Sequence, residues 1–250
     1  MGVNRGSGLH KRSILDKIYQ LTGDAVASGL VMVLTGASGV GKGTVRKKLV
    51  ERAPFYYSIS ATTRPPRPGE RHGVDYWFVS RDEFLATREQ GGFLEWAEYV
   101  GSFYGTLAAP VEAAVSAGRN VLLEIEVQGA LQVAKRLPEA ILVFLIPPSL
   151  TELERRLLVR GQDSPEKIQA RLARAQEEMA MADSFHYVVV NDVLEQAVND
   201  LWALTQSESL KSGRRAAEVT RALQRDPKAE SELALIRAQV RGGENGRSRN

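Results

Sequence analysis

An apolar run, Leu30-Val31-Met32-Val33-Leu34-Thr35, leads straight into Gly36-Ala37-Ser38-Gly39-Val40-Gly41-Lys42-Gly43-Thr44. Strand, glycine loop and helix start in that order make a cradle of backbone N–H groups with a lysine at its mouth, which is chemistry for holding phosphates. Gly36 and Gly41 let the chain wrap close to phosphate oxygens, and Lys42 reaches the outer ones as a point charge. The strict form of the pattern has Ser or Thr after the lysine to touch Mg2+. Here Gly43 stands in that place and Thr44 follows one step later.

Two more clusters carry chemistry. Ser60-Ala61-Thr62-Thr63-Arg64-Pro65-Pro66-Arg67-Pro68-Gly69-Glu70 sets two arginines three residues apart between prolines, able to present forked donors to one phosphate at little ordering cost. A solvated basic loop fits the same residues. Tyr76 and Tyr104 can add phenolic hydrogen bonds. Glu124 and Glu126, in Leu122-Leu123-Glu124-Ile125-Glu126-Val127-Gln128-Gly129, are two apart in an expected strand, which would turn both carboxylates to one face. Buried there they would need partners, and an exposed strand end accommodates them equally well.

These side chains need a frame, and the pattern from Leu30 onward alternates strands with helices. Candidate strands are Leu30–Thr35, Phe55–Ser60, Val74–Val79, Val121–Val127, Ile141–Ile146 and Tyr187–Val190. The runs at Leu30, Val121 and Ile141 are apolar almost throughout, as in a parallel sheet covered on both faces. Ser80-Arg81-Asp82-Glu83 and Ser149-Leu150-Thr151-Glu152 read as capping boxes, and Ser164-Pro165 as an N-cap followed by proline at the first helical position. Pro110 opens a further helix that Gly118 closes. The stretch 55–107, rich in aromatics and turns, suits a small mixed β/α insertion. Residues 1–28 form a polar leader with a short helix near Ser13–Leu21. After Leu204 the periodicity weakens; Ala216–Leu223 and Glu230–Val240 suit helices, and the glycine-rich basic end suits disorder.

Composition bounds the rest. The 250 residues are 43% hydrophobic and 25% charged, which suits one sizeable α/β domain with an insertion. The sequence has no cysteine, which excludes disulfides, thiolate metal sites and Cys-linked lipids. No apolar run approaches the roughly 20 residues of a membrane span. The start Met1-Gly2-Val3-Asn4-Arg5-Gly6 lacks a signal-peptide core and a myristoylation pattern, so a cytoplasmic enzyme is the expectation. Net charge is +3; residues 1–28 carry 4 basic and 2 acidic side chains, residues 205–250 carry 10 and 6, and the body between them is slightly acidic. That argues against a nucleic-acid-binding core, while the basic tail suits weak contact with RNA.

Taken in order, GASGVGKGT, SATTRPPRPGE, DYWF, FLEWAEY, FYGT and LEIEVQGA resemble guanylate kinase, the family that phosphorylates GMP with ATP, from about Leu30 to Leu204. Glycine after the lysine is familiar among nucleoside monophosphate kinases. The resemblance implies a P-loop three-layer α/β fold with a mainly parallel sheet. It divides residues 29–204 into a core (29–54, 108–150 and 183–204), a GMP-binding insertion (55–107) and a helical lid (151–182), followed by a basic tail (205–250). It implies transfer of the γ-phosphate of ATP to GMP, with dGMP as an alternative acceptor, in purine nucleotide metabolism and GMP recycling.

The same resemblance assigns roles residue by residue. Gly36, Ala37, Ser38, Gly39, Val40, Gly41, Lys42, Gly43 and Thr44 would hold the ATP phosphates, and Asn191 would meet adenine. Arg64, Arg67, Tyr76 and Tyr104 would hold the GMP phosphate, with Glu70 orienting the arginines. Glu95 and Glu126 would accept from guanine N1–H and the 2-amino group, while Ser60 and Thr106 donate to O6. Adenine reverses that pattern and would leave buried groups unpaired. Lys42, Arg156, Arg160 and Arg171 would neutralise the transferring phosphoryl group, the last three closing from the lid, with Arg155 facing solvent. Mg2+ would be held by phosphates and waters, with Thr44 the alternative protein ligand; Glu124 would join the GMP-binding residues and stand near the ion. Guanylate-kinase-like scaffold domains bind peptides without catalysis, but tend to lose the loop or its lysine; this chain keeps Lys42. A kinase for another nucleoside monophosphate is the other enzyme reading.

Overall fold

A computed structural model describes residues 29–160 and 164–211, together with Arg215 and Ser231. The elements below lie in one unit, Ser28–Leu210; of the other unit only Lys211, Arg215 and Ser231 are described. The helices expected near Ser13–Leu21 and Ala216–Leu223 fall outside the described residues, as does all of Glu230–Val240 but Ser231, which is helical.

In chain order the elements begin β1 (Val31–Gly36), α1 (Lys42–Arg52), β2 (Tyr56–Tyr57), β3 (Ala61–Thr62), β4 (Trp77–Phe78), α2 (Arg81–Glu89), β5 (Phe93–Tyr99) and β6 (Ser102–Leu107). They continue α3 (Ala108–Ser116), β7 (Val121–Glu124), α4 (Val127–Arg136), β8 (Ile141–Ile146), α5 (Leu150–Arg160), α6 (Pro165–Met179), a 3-10 turn (Ala182–Ser184), β9 (Tyr187–Val190) and α7 (Leu194–Ser209).

Strand alternation builds the layers. Five strands pair in the order β2-β7-β1-β8-β9, all parallel. Leu30, Met32 and Leu34 point to one face, where they pack with Val45 and Leu49 of α1 and Val198 and Leu201 of α7. Val31 and Val33 point to the other, against Val111 of α3 and Val127 and Val133 of α4. With both faces covered, the strands can be apolar at every position, which is the signal their sequence carries. This is the expected P-loop three-layer α/β arrangement.

The second sheet runs β4-β3-β6-β5 and mixes parallel with antiparallel pairs. Phe84 of α2 stacks on Phe93 at 4.3 Å and on Phe103 at 5.3 Å between ring centroids, closing a small core of its own. The expected strand Phe55–Ser60 is only Tyr56–Tyr57, because the chain leaves the first sheet there and joins the second at Ala61. Val74–Val79 shrinks to Trp77–Phe78 behind a turn at Gly73. The β5–β6 hairpin is an element that the strand assignment from sequence omits. Its alternation is blurred by aromatics on both faces, and its turn, Val100-Gly101, lacks the usual Asn-Gly signal although both residues have positive φ.

Helix signals fare unevenly. Ser80 and Glu83 complete a reciprocal capping box. Ser164 caps α6 with Pro165 at its start. Ser149 accepts from the Glu152 N–H, but the Glu152 carboxylate goes to Arg155 and Arg156 instead of back to the cap. α3 starts at Ala108, two residues before Pro110, and ends at Gly118 with φ +73°. α7 continues past Leu204 to Ser209.

Candidate active site

The glycine loop joins β1 to α1. Gly36 has φ +146°, and a Cβ there would lie 2.2 Å from the Leu145 carbonyl oxygen of β8; Gly41 has φ +99° and a Cβ would meet Asn191 Nδ2 at 2.8 Å. Only glycine suits both positions. The Val40 carbonyl is drawn outward: Asn191 Nδ2 donates to it at 2.8 Å and Arg156 Nη1 at 3.4 Å. Arg156 Nη1 also donates to the Asn191 carbonyl at 2.9 Å, and its Nε to Glu152 at 2.7 Å. Ala37 packs on Leu153 and Leu157 of α5. The loop is thus clamped from behind by β9's end and by α5. Lys42 Nζ donates to the Gly36 carbonyl at 2.6 Å across the loop.

Beside Gly43 stands Glu124, whose Oε1 would be 3.6 Å from a Cβ at that glycine. β7 ends at Glu124, and Glu126 is the N-cap residue of α4. The two carboxylates therefore do not share a strand face as the spacing suggested, because the chain turns into the helix one residue after the strand. Glu124 accepts from Arg46 Nε at 3.0 Å, and the Arg46 guanidinium lies over the Tyr57 ring at 4.4 Å. Burial, helped by the Glu124 charge, pushes the Tyr57 phenol up to about 12. Thr44 is exposed on the first turn of α1.

A second basic cluster sits on the insertion. Arg64 Nη2 donates to Glu70 at 2.9 Å and its guanidinium lies 5.4 Å from the Tyr76 ring centroid. Tyr76 stands edge-on to Tyr104 at 6.2 Å. Glu70 accepts from the Arg67 backbone N–H at 2.8 Å, so it holds that residue by its main chain while the Arg67 side chain is exposed. That N–H bond first, and then Arg64, draw the Glu70 carboxyl below the usual carboxylate range. Burial raises the Tyr76 phenol.

Glu95 and Thr106 face each other across β5 and β6, both buried, with the Thr106 hydroxyl donating to Glu95 Oε1 at 2.6 Å. Desolvation raises the Glu95 carboxyl, and Thr106 offsets part of that. Glu95 Oε2 would lie 2.7 Å from a Cβ at Gly129, so α4 leaves room for the carboxylate only because position 129 has no side chain. Ser60, at the entrance to β3, is half-buried. Glu126 is 60% exposed and 3.9 Å from Arg174 Nη2.

Of the arginines expected to close from a lid, Arg156 is pinned to the loop as described. Arg155 is 64% exposed and paired with Glu152 at 2.7 Å. Arg171 lies half-buried on α6, and the Arg160 side chain falls outside the described part. Asn191, expected at adenine, spends its amide on Val40 and its N–H on Ile146.

The guanylate kinase family model matches residues 28–208. A guanylate kinase of Thermus thermophilus is 60% identical over 215 residues, covering 86% of this chain and 98% of that protein. The chain belongs to the guanylate kinase family. A guanylate kinase of Deinococcus radiodurans is 54% identical over 191 residues, covering 76% of this chain and 79% of its own. The crystal structure of guanylate kinase from Anaplasma phagocytophilum superposes with a TM-score of 0.63 at 33% identity, covering 76% and 90% of the two chains.

Three residues at the site carry no clear signal in the sequence. Arg46 and Tyr57 look like an ordinary surface charge and a strand aromatic until the fold brings them to Glu124. The signal for Arg46 was its place four residues after Lys42, on the same helix face. Arg174 of α6 is the third: its Nε holds Glu178 at 2.9 Å and its guanidinium lies 5.9 Å from the Tyr99 ring at the hairpin tip.

Proposed function

We propose that the chain binds ATP at the loop Gly36–Thr44 and GMP between the insertion and the end of β7, and moves the γ-phosphoryl group between them. The observation that carries this reading is Glu95: a carboxylate held buried by Thr106 in a space that Gly129 keeps open. Burying an acidic group costs free energy unless it has a donor to receive, and the N1–H and 2-amino group of guanine are such donors. Glu126 is the second acceptor for that edge. The Thr106 proton is committed to Glu95, so Ser60 is the O6 donor in this reading. Arg64 and Arg67, with Tyr76 and Tyr104, take the acceptor phosphate, and Glu70 keeps Arg64 extended and ionised. Lys42 takes the donor phosphates, while Arg156, Arg160 and Arg171 contribute positive charge from the lid.

Mg2+ belongs to the same proposal. Among the described residues there is no cluster of three or more acidic, histidine or cysteine side chains that could hold a metal. The ion would be carried in on phosphate oxygens and waters, with Glu124 beside Gly43 able to accept from such waters. When bound, the ion supplies charge neutralisation across the donor phosphates. Asn191 Nδ2 braces the loop at Val40, which leaves the side-chain oxygen to accept from the adenine amino group in this reading. The reading also keeps the expectation of a cytoplasmic enzyme.

The test is a coupled assay of ADP release with ATP, Mg2+ and a panel of acceptor nucleotides. GMP is expected to yield ADP and GDP, and Lys42→Ala to lose most of that turnover, on the order of 10²-fold or more. Equal turnover of AMP and GMP would overturn the assignment of Glu95 and Glu126. Full activity in Lys42→Ala would overturn the placement of ATP.

A further inference from the structure

We propose that Arg46 is a further catalytic residue: a cation fixed on the core that contacts the phosphoryl group as it passes between the two nucleotides. The inference rests on the placement of the donor at the glycine loop and of the acceptor phosphate at Arg64, Tyr76 and Tyr104 given above.

Position comes first. Arg46 follows Lys42 by one turn of α1, so the two cations share a face of that helix. On one side Arg46 meets Glu124, the residue beside Gly43. On the other it meets Tyr57, whose charged and phenolic neighbours include Glu124, Tyr76 and Asp75. Tyr76 in turn adjoins Arg64 and Tyr104. The order in space therefore runs from Lys42 and Gly43, through Glu124, Arg46 and Tyr57, to the cluster that would hold the acceptor phosphate. β2 and β7, which carry Tyr57 and Glu124, pair Tyr57 with Leu122, so their carboxyl ends open on the same crevice.

Orientation comes second. Nε is the Arg46 nitrogen that bonds Glu124, and among the described residues no acceptor takes the terminal nitrogens of its guanidinium; the side chain is 31% exposed. A guanidinium has five N–H donors in one plane, so four remain for an oxyanion in the forked geometry that matches a phosphoryl group. The Glu124 bond and the Tyr57 ring fix that plane before any ligand arrives, which leaves little ordering to be done in the reaction. Arg156 is different: its Nε and Nη1 are already committed to Glu152, Asn191 and Val40.

In the transfer, an oxygen of the acceptor phosphate forms the new bond to the γ-phosphorus. The bond from that phosphorus to the bridging oxygen of ATP breaks, and its electron pair leaves with ADP. Arg46 neutralises the equatorial oxygens through this exchange and neither gains nor loses a proton.

The experiment uses the full chain with ATP, Mg2+ and GMP, comparing Arg46→Met, Arg46→Lys, Glu124→Gln and the double variant Arg46→Met with Glu124→Gln. Arg46→Met is expected to lower kcat by about 10²-fold, with KM for either nucleotide changing by less than about threefold. Arg46→Lys keeps the charge but not the fork, so it should remain at least ~10-fold down. In the Glu124→Gln background, Arg46→Met should still cost about tenfold or more, less than in the unaltered chain because the two side chains are in contact. Native kcat in Arg46→Met, a loss confined to KM, or no further cost in the Glu124→Gln background overturns the proposal, the last because Arg46 would then act only by holding Glu124. Should Arg46→Met fail to fold, as judged by circular dichroism, Arg46→Lys decides, and native kcat there overturns it. Where the unaltered chain phosphorylates GMP and Lys42→Ala does not, a neutral Arg46→Met sinks this inference alone. Where the unaltered chain fails to phosphorylate GMP, the underlying reading falls with it.

Discussion

Glu95 is the residue at which folding and function pull hardest against each other. Its carboxyl is raised above the usual 4.5 by burial, and Thr106 gives back only part of that. Between the unfolded value and the raised folded one, the native chain binds more protons than the unfolded chain, so ionising Glu95 costs stability as pH rises through that window. Glu95→Gln should therefore melt higher than the unaltered chain at neutral pH. The gap should close on acidification as the native carboxyl takes up its proton; thermal melts across pH 4 to 8 check this, and a gap independent of pH would contradict it. Guanine recognition runs the other way, because only the ionised group accepts from both guanine donors. KM for GMP should rise on acidification from a pH above the ordinary glutamate range, and Glu95→Gln should be both weak and flat over the same interval.

At the scale of elements, α5 and β9 matter less as covers than as braces. Leu153 and Leu157 support Ala37 from one side while Asn191 and Arg156 hold the Val40 carbonyl from the other. Asn191→Ala would strip the shorter of two bonds from a carbonyl on a fully buried residue. It should cost about 1–3 kcal/mol, read by chemical denaturation, and raise KM for ATP while leaving KM for GMP near native. The hairpin tip offers a contrasting case. Val100 is 84% exposed with φ +49°, a left-handed conformation that a β-branched residue adopts at a cost. Val100→Asn should add about 1 kcal/mol of stability, since Asn tolerates that region and favours such turns; unchanged or lower stability would argue against strain there. The same two places mark the limit of what the sequence made legible. The loop, the parallel core strands and the caps at Ser80 and Ser164 carry strong local signals, and the fold follows them. The end of β7 at Glu124, the switch of sheets after Tyr57 and the brace on Val40 depend on which distant strand or helix lies alongside. Neither spacing nor propensity contains that information, which is why Glu126 was assigned to a strand and Arg46 to no site.

The whole molecule divides its labour between two sheets. The parallel sheet presents its carboxyl ends to the loop, and the mixed sheet carries Glu95, Thr106 and Tyr104 on a hairpin packed by α4. Every residue assigned here to either nucleotide lies between Gly36 and Asn191. A chain ending at Lys211 should accordingly keep GMP turnover within about twofold, while losing whatever weak RNA retention the basic tail supplies; retention unchanged on an RNA column would rule out the tail. The measurement that bears most directly on the central claim is the ratio of kcat/KM for GMP over AMP with ATP and Mg2+. The account predicts a ratio on the order of 10⁴ in the unaltered chain, falling by about 10²-fold or more in Glu95→Gln. A ratio near one, or one that Glu95→Gln leaves unchanged, would contradict it.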